Sequence, residues 1–199
     1  MPLSKRIFDL FFAALALIIL TPLIILTGIM VYLFLGTPIF FRQRRPGLKG
    51  RPFFIYKFRT MRTASDLTGN LLPDSERLTR FGHFLRTLSL DEMPEIFNIL
   101  RGEMSFVGPR PLLMEYLPLY SPEQARRHNV VPGLTGWAQV NGRNAADWPA
   151  RLAMDVWYVD NWSFWLDIKI SLMTLWKVIK REGINQPGQA TVEYFKGEQ

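Results

Sequence analysis

The sequence contains no cysteine and only two histidines, His83 and His128. Without cysteine there is no disulfide framework, no thiolate nucleophile and no sulfur-bound zinc site. Neither histidine has a second histidine at a metal-ligand spacing, and no Ser-His-Asp arrangement is readable. The chain also lacks the P-loop pattern G-x-x-x-x-G-K-[ST] and the Rossmann pattern G-x-G-x-x-G, so neither nucleotide-binding turn is predicted.

Acidic side chains are absent from one long stretch of the chain. Over the whole sequence, 24 lysines and arginines outnumber 17 acidic residues, which gives a net charge of +7. From Arg42 to Arg62 there are eight basic residues and no acidic one. Such a segment favours an anionic partner, which is a nucleic acid, a phospholipid surface or a phosphorylated substrate. With 199 residues, the chain is long enough for one domain with a hydrophobic core.

Charge is almost missing from residues 7–41, where Asp9 is the only charged side chain. Lys5 lies four residues earlier and is expected to pair with Asp9 on a helix. One membrane-spanning helix needs about 20 apolar residues, and this run is much longer. It is also too long for a secretory signal peptide, and no small-residue cleavage site follows it.

The dipeptide Thr21-Pro22 interrupts the apolar run near its middle. Proline removes a helical hydrogen bond, so we expect a sharp kink, eased by a bond from the Thr21 hydroxyl to the carbonyl of Leu17. Each arm would be about 20 Å long, too short for a hydrocarbon core of about 30 Å. Basic residues flank both ends, and such residues prefer the cytoplasm. We therefore predict that residues 1–41 form a re-entrant helix-break-helix hairpin. A tilted single-pass anchor is the alternative.

The basic segment after the apolar run predicts a β-hairpin at the membrane surface. A turn at residues 46–50 separates two aromatic, strand-like stretches, residues 39–42 and 53–60. Lys57 and Arg59 are two apart, so on a strand they would project from one face. Contact with lipid headgroups is an alternative role for this basic cluster.

Two adjacent carboxylates, Asp91 and Glu92, lie further along the chain. Ser89 and Glu92 fit the S-x-x-E capping box, which predicts a short helix that begins here and ends at Gly102. With Asp91 as the N-cap instead, Pro94 is the third helical residue and removes no hydrogen bond. The local pattern alone favours helix capping, and a catalytic pair is the alternative.

Two further arginines stand in unusual contexts. Arg110 lies between two prolines, which favour extended backbone and would aim its guanidinium at a phosphate. A structural turn would explain the prolines but not the arginine. Arg143 ends a glycine-rich segment, residues 131–143, that is either an ordinary loop or a close approach to a nucleotide.

Two later helices are also predicted. Ser121 and Pro122 suit the N-cap and first position of one helix. Residues 164–181 form an amphipathic pattern, with a face that either lies in the headgroup region or packs on the core.

Together these features resemble the small monotopic bacterial phosphoglycosyl transferases, which are the initiating sugar-phosphate transferases of glycan assembly. The resemblance rests on Lys5-Arg6-Ile-Phe-Asp9, Thr21-Pro22, Arg45-Pro-Gly47, Tyr56-Lys-Phe-Arg-Thr-Met61, Leu88-Ser-Leu-Asp91-Glu92, Met104-Ser-Phe-Val-Gly-Pro-Arg-Pro111, Pro132-Gly-Leu-Thr-Gly136 and Gln139-Val-Asn-Gly-Arg143. One departure is threonine before the proline, where serine is common. Residues 188–193 resemble the subset that transfers N,N′-diacetylbacillosamine 1-phosphate to undecaprenyl phosphate.

The resemblance implies a two-step reaction. Asp91 would attack the β-phosphorus of a UDP-sugar, release UMP and hold the sugar phosphate as an acyl phosphate, which undecaprenyl phosphate then attacks. Glu92 would assist through Mg²⁺, bound by Glu92 and Asp91, or through proton handling. A helix N-terminus is expected to keep Asp91 ionised. Candidate residues for the donor diphosphate are Lys57, Arg59, Arg86, Arg110 and Arg143.

The predicted class is α+β and mainly helical, with the re-entrant membrane helix-break-helix, a small β-hairpin and amphipathic interfacial helices. Residues 1–41 would form the membrane hairpin and residues 42–199 a catalytic domain on the cytoplasmic face of the bacterial inner membrane. The expected partners are a UDP-sugar, undecaprenyl phosphate and membrane phospholipid. Nucleic acid is not expected, because a membrane segment is present. The alternative function is a non-catalytic, membrane-anchored scaffold that binds anionic lipid.

Overall fold

The computed structural model describes residues 2–66, 68–142, 147–180 and 194–197. Arg143 and residues 188–193 therefore lie outside the described residues. The helices are Leu3–Leu35 (α1), Asp74–Arg77 (α2), Arg80–Thr87 (α3), Ile96–Arg101 (α4), Pro122–Ala125 (α5), Trp137–Asn141 (α6), Trp148–Asp160 (α7) and Phe164–Lys180 (α8). The strands are Phe40–Pro46 (β1), Pro52–Phe58 (β2), Ser105–Val107 (β3) and Gly133–Thr135 (β4). The mainly helical α+β class predicted from the sequence is confirmed.

The apolar run forms one helix, α1, with Pro22 inside it. The Thr21 hydroxyl donates a hydrogen bond to the carbonyl of Leu17 over 2.6 Å, as predicted. This hydroxyl adds a donor in the turn that contains the proline, and the helical backbone continues through Pro22. The predicted division into two separate helices is therefore not seen. The path of α1 relative to a membrane, and the division at residue 41, stay predictions.

One face of α1 packs against the rest of the chain along almost its whole length. Its buried residues lie at helical spacing and are Lys5, Asp9, Ala13, Thr27 and Val31. Its exposed apolar residues include Ile7, Phe11, Ile18, Ile19, Ile25, Leu26, Leu33 and Phe34. By length and composition α1 could cross a membrane. Its exposed surface is thus apolar, whereas its packed face carries charged residues near one end.

The charged residues on that face do not pair with each other. Lys5 lies 2.5 Å from the carboxylate of Asp167 in α8, so the predicted pair of Lys5 with Asp9 is not formed. Asp9 instead accepts hydrogen bonds from the Ser105 hydroxyl and the Phe106 amide, each over 3.1 Å. The helical spacing is correct, but tertiary partners bind both side chains more directly.

The predicted β-hairpin is confirmed. β1 and β2 are antiparallel, in a register that pairs Phe40 with Phe58 and Pro46 with Pro52. Phe58 packs in one core cluster with Val31 of α1. The apolar side of the hairpin therefore lies against α1, which is consistent with the position predicted for it beside the apolar segment.

The turn that carries Asp91 and Glu92 differs from the prediction. Ser89 has φ 54°, in the left-handed region, and its side chain makes no capping hydrogen bond. A capping residue needs extended backbone, so the predicted capping box was wrong. The pair lies in a 3-10 turn, Leu90–Glu95, that continues into α4. α4 ends at Gly102, which has φ 80°, as predicted.

Both later helices predicted from the sequence are present. Ser121 caps α5 in a complete capping box with Gln124. α8 buries Ile170, whereas Leu172 and Trp176 are exposed. Leu172 and Trp176, which lie on the apolar face predicted for this helix, are therefore not covered by the core. β3 and β4 form a short parallel pair that packs beside α8.

Gly82 in α3 has no room for a side chain. A Cβ at this position would lie 1.9 Å from the carbonyl oxygen of Thr60, which is a backbone atom. We predict that Gly82→Ala displaces α3, together with Arg86 in its last turn, and lowers the free energy of unfolding by about 1–3 kcal/mol. Thermal unfolding of the detergent-solubilised protein measures this loss.

Gly28→Ala is the matched control for that substitution, because Gly28 is also helical and a Cβ there lies 3.6 Å from the Phe58 ring, an ordinary contact. Alanine favours a helix over glycine, so Gly28→Ala should keep or slightly raise the unfolding temperature. Equal unfolding temperatures for the two variants would contradict the predicted clash at Gly82.

Candidate active site

Three separate segments bring charged side chains together at Glu92. Lys57 comes from β2, and its Nζ lies 2.5 Å from Oε1 of Glu92. Arg110 comes from the segment after β3, and its Nη2 donates a hydrogen bond to the same oxygen. Asp91, adjacent in the 3-10 turn, is buried. The fold thus brings together Asp91, Glu92, Lys57 and Arg110, four of the residues that the sequence singled out.

Asp91 lies in a position that disfavours its charged form. Burial raises the pKa of the Asp91 carboxyl, and Glu92 raises it further, while the nearby cations Lys57, Arg86 and Arg110 oppose that rise. The sequence predicted that a helix N-terminus favours the ionised form, but in the structure burial has the larger effect on this pKa. Within the described part of the chain, no hydrogen bond reaches the Asp91 carboxylate. Its oxygens therefore have no hydrogen-bond partner among the described residues.

Glu92 has the opposite electrostatic balance. Burial acts to raise the pKa of Glu92, but the ion pairs with Arg110 and Lys57 outweigh burial and hold this pKa well below its usual range. The pKa of Lys57 is raised, because the attraction of Glu92 and Glu95 exceeds the effect of burial. Glu92 and Lys57 therefore stay charged near neutral pH. A role for Glu92 as a proton donor or acceptor gains no support from this geometry.

Glu95 is also part of the cluster, although it was not among the site residues predicted from the sequence. Its side chain is 1% exposed, and its Oε1 lies 3.1 Å from Nζ of Lys57. Burial raises the pKa of Glu95 to about 7, with Lys57 opposing and Glu92 adding to the rise. The available signal was its spacing, three residues after Glu92 and therefore on a similar side of a helical turn. Lys57 is thus shared between two carboxylates.

The other predicted basic residues have different surroundings. Nε of Arg86 donates to the Thr60 hydroxyl over 3.1 Å, and the Arg86 charge lowers the pKa of Asp91. Arg59 donates instead to the carbonyls of Leu35 and Gly36, at the end of α1. Carbonyls at a helix C-terminus lack partners and attract cations. Lys57 therefore reaches the acidic cluster, whereas Arg59 binds α1.

The carboxylates of Asp91 and Glu92 fit a magnesium ion that is bound together with a phosphorylated substrate. No group of three or more His, Cys, Asp or Glu side chains that could hold a metal occurs in the described ranges. Mg²⁺ bound together with a phosphorylated substrate needs only one or two carboxylates, because phosphate oxygens and water complete its octahedron. Neither oxygen of Asp91 accepts a hydrogen bond from the described residues, and Lys57 and Arg110 share Oε1 of Glu92. The donor set suits that shared site and not an all-protein cage.

The raised pKa of Glu95 predicts a pH dependence of stability. This pKa is about 7 in the folded chain and near 4.5 in the unfolded chain. The protonated carboxyl group therefore makes its full contribution to stability below pH 4.5. That contribution is lost as the pH rises through 7. We predict that the unfolding free energy of Glu95→Gln lacks this loss, with a slope difference of up to about 1.4 kcal/mol per pH unit. Unfolding midpoints between pH 5 and 8 test it, and equal slopes would contradict it.

A sequence model of the bacterial sugar transferase family matches residues 2–181. The chain is 55% identical to the uncharacterized sugar transferase EpsL of Bacillus subtilis (strain 168) over 193 residues, which are 97% of this chain and 96% of that protein.

The names of two longer relatives specify a sugar and a lipid carrier. The chain is 42% identical over 187 residues to the UDP-glucose:undecaprenyl-phosphate glucose-1-phosphate transferase of Xanthomonas campestris pv. campestris, covering 88% of this chain and 39% of that protein. It is 37% identical over 201 residues to the undecaprenyl-phosphate galactose phosphotransferase of Salmonella typhimurium, and the match covers 90% of this chain and 41% of that protein. The chain thus spans nearly all of EpsL and about two-fifths of these longer proteins. Because the family match covers most of its length, the chain belongs to the bacterial sugar transferase family and is an enzyme of the transferase class.

Proposed function

We propose that this chain transfers a sugar 1-phosphate from a UDP-sugar to undecaprenyl phosphate and releases UMP. The observation that carries the proposal is a buried Asp91 whose carboxylate accepts no hydrogen bond from the described residues, beside a Glu92 that holds Lys57 and Arg110. Relatives named for this reaction with glucose and galactose support it. A non-catalytic scaffold would need neither the buried acidic pair nor the cations fixed around it.

The first step is attack by an Asp91 carboxylate oxygen on the β-phosphorus of the UDP-sugar. A bond forms between that oxygen and the β-phosphorus, the bond from the β-phosphorus to the bridging oxygen breaks, and UMP leaves. A carboxylate and a diphosphate repel each other, so the step needs fixed positive charge. Lys57, Arg86 and Arg110 supply that charge around Asp91. Burial of Asp91 weakens its solvation and makes the carboxylate a better nucleophile.

The second step returns Asp91 to its starting state. An oxygen of undecaprenyl phosphate attacks the phosphorus of the acyl phosphate, the bond from this phosphorus to Asp91 breaks, and a polyprenyl diphosphate sugar is formed. Neither step requires net proton transfer, since both nucleophiles are already anions. A permanently ionised Glu92 suits this chemistry, because its task is to hold Lys57 and Arg110.

We propose Mg²⁺ as the cofactor, bound by Asp91 and Glu92 together with the donor phosphates. When bound, the ion supplies positive charge that stabilises the leaving phosphate. Lys57 and Arg110 remain on Oε1 of Glu92 and keep this carboxylate oriented.

The packing of α1 supports a monotopic, re-entrant placement, and the basic residues that flank the apolar run favour the cytoplasmic face of the bacterial inner membrane. Near one end Lys5 donates to the carbonyl of Val107, and at the other end Arg59 donates to that of Gly36. A helix that spans a hydrocarbon core of about 30 Å ends on opposite sides of it, where one folded domain does not reach both ends. The exposed Trp165 and Trp176 of α8 would contact phospholipid at the interface.

We propose an acetamido sugar, N,N′-diacetylbacillosamine or a related one, as the finer identity of the donor sugar. Residues 188–193 carry that resemblance. The named relatives use glucose and galactose, so UDP-glucose and UDP-galactose are the competing donors. The reaction would be the first membrane step in the assembly of a glycan, including a glycan destined for protein glycosylation.

Intact-mass spectrometry tests the covalent intermediate. The purified protein, Mg²⁺ and each UDP-sugar, without a lipid acceptor, should yield a protein carrying one sugar phosphate, with a mass that identifies the sugar. Asp91→Asn should form no adduct and should release UMP at least about 10³-fold more slowly, because an amide is a poor nucleophile. Asp160→Asn, an exposed aspartate in α7, is the control and should form the adduct normally. Undiminished UMP release by Asp91→Asn would refute the nucleophile assignment.

Thiol labelling tests the membrane path. Because the chain has no cysteine, Leu3→Cys and Arg44→Cys each introduce one thiol at an exposed position on either side of the apolar run. A membrane-impermeant maleimide should label neither variant in intact spheroplasts and both after permeabilisation. Labelling of one site from the outside would contradict the re-entrant path and favour a single-pass anchor.

A further inference from the structure

The segment that carries Arg110 lacks the usual means of holding a backbone in place. Proline has no amide hydrogen, so residues 109 and 111 cannot donate backbone hydrogen bonds. β3 ends at Val107, before this segment begins. Carbonyl oxygens are therefore the main backbone groups that can fix it. The Pro109 carbonyl accepts from the Gly133 amide over 3.0 Å.

The carbonyl of Arg110 itself is held by a buried side chain. Nη2 of Arg127 donates to this oxygen over 2.7 Å. Arg127 is 2% exposed, and its Nε and Nη2 lie 3.0 and 2.6 Å from Oδ2 of Asp155 in α7. Asp155 is also buried. One guanidinium thus joins α7 to the backbone of the residue whose side chain binds Glu92.

Stability alone is a weak reason for this buried ion pair. Desolvation of two charges often exceeds their attraction, and apolar replacements of similar volume are often neutral or stabilising. A directional hydrogen bond to one carbonyl is what an apolar pair cannot supply. The role that requires both charges is therefore orientation, with Asp155 fixing Arg127 and Arg127 fixing Arg110.

We propose that Arg127, held by Asp155, is a positioning residue that sets Arg110 against Glu92 for the transfer reaction. It acts through the carbonyl of Arg110 and is not assigned any contact with substrate. This inference rests on the proposed function for its kinetic consequence, and on the hydrogen bonds alone for its structural one. A displacement of Arg110 by about 1 Å is enough to slow a positioned reaction by about 10²-fold.

The variant that isolates this role is the double replacement Arg127→Met with Asp155→Leu, which leaves no unpaired buried charge. We expect it to fold, to lower kcat for UMP release by about 10–10²-fold and to change KM less, because Arg110 acts on charge that develops during transfer. Arg127→Lys is the second variant. It keeps a charge for Asp155 but lacks the fork that reaches both partners, so an intermediate loss is expected.

Arg126→Met is the matched control. Arg126 is the preceding residue and pairs with Glu123 and Asp160 near the surface. Its loss removes ion pairs of the same type without touching Arg110, so wild-type kcat is expected.

Coupling to Arg110 separates positioning from general damage. In an Arg110→Lys background, the double replacement should reduce the remaining kcat less than about twofold, since the residue through which it acts is already altered. A full reduction in that background would show that the pair supports the fold in general, and would overturn the proposal.

Hydrogen exchange keeps this test separate from the test of the reaction. Peptides that contain Arg110 should exchange faster in the double variant and in Arg127→Lys, but not in Arg126→Met. Unchanged exchange there would overturn the positioning role whatever the activity. If the wild-type protein turned over no UDP-sugar, the proposed function would fail, while the exchange result would still decide whether Arg127 fixes Arg110.

Discussion

The ion pairs at Oε1 of Glu92 are the interaction on which the arrangement of the site depends. Lys57 arrives on β2 and Arg110 on the segment after β3, so two distant parts of the chain meet on one carboxylate oxygen. If one cation is removed, the partly buried Glu92 carboxylate loses part of its charge compensation. Glu95 on the other side of Lys57 extends this network. The hairpin, the 3-10 turn and the segment after β3 therefore have to be placed together.

The apolar helix takes part in that placement. Lys5 of α1 donates to the carbonyl of Val107 over 2.9 Å, and Asp9 accepts from the Phe106 amide. Both acceptor and donor lie in β3, which ends three residues before Arg110. The helix that would rest in lipid is thus bonded to the strand that leads into the site. On the proposed mechanism, this link sets the catalytic residues at a fixed height relative to a lipid phosphate.

Local patterns predicted the parts of the fold that depend on a few adjacent residues. The turn at residues 46–50, the end of α4 at Gly102 and the Ser121 cap all follow from backbone preferences, and all are observed. Tertiary contacts decided the rest. Arg59 follows the strand spacing of Lys57 but binds the end of α1, and Ser89 adopts a left-handed backbone that no capping pattern indicates. The local sequence does not distinguish Glu95 from other acidic residues of a helix, because its partner Lys57 is distant in sequence.

The two adjacent carboxylates show how different surroundings give the same chemical group different pKa values and different contacts. Glu92 is neutralised by two cations, which lowers its pKa and makes it a weak nucleophile. Asp91 is buried and receives no hydrogen bond from the described residues, and its pKa is raised, so its anion is the more basic and more reactive one. The cations act on Asp91 only from a distance, where they oppose repulsion by an incoming diphosphate without occupying its oxygens. On the proposed mechanism, the same charges therefore hold one carboxylate in place and leave its neighbour able to act as the nucleophile.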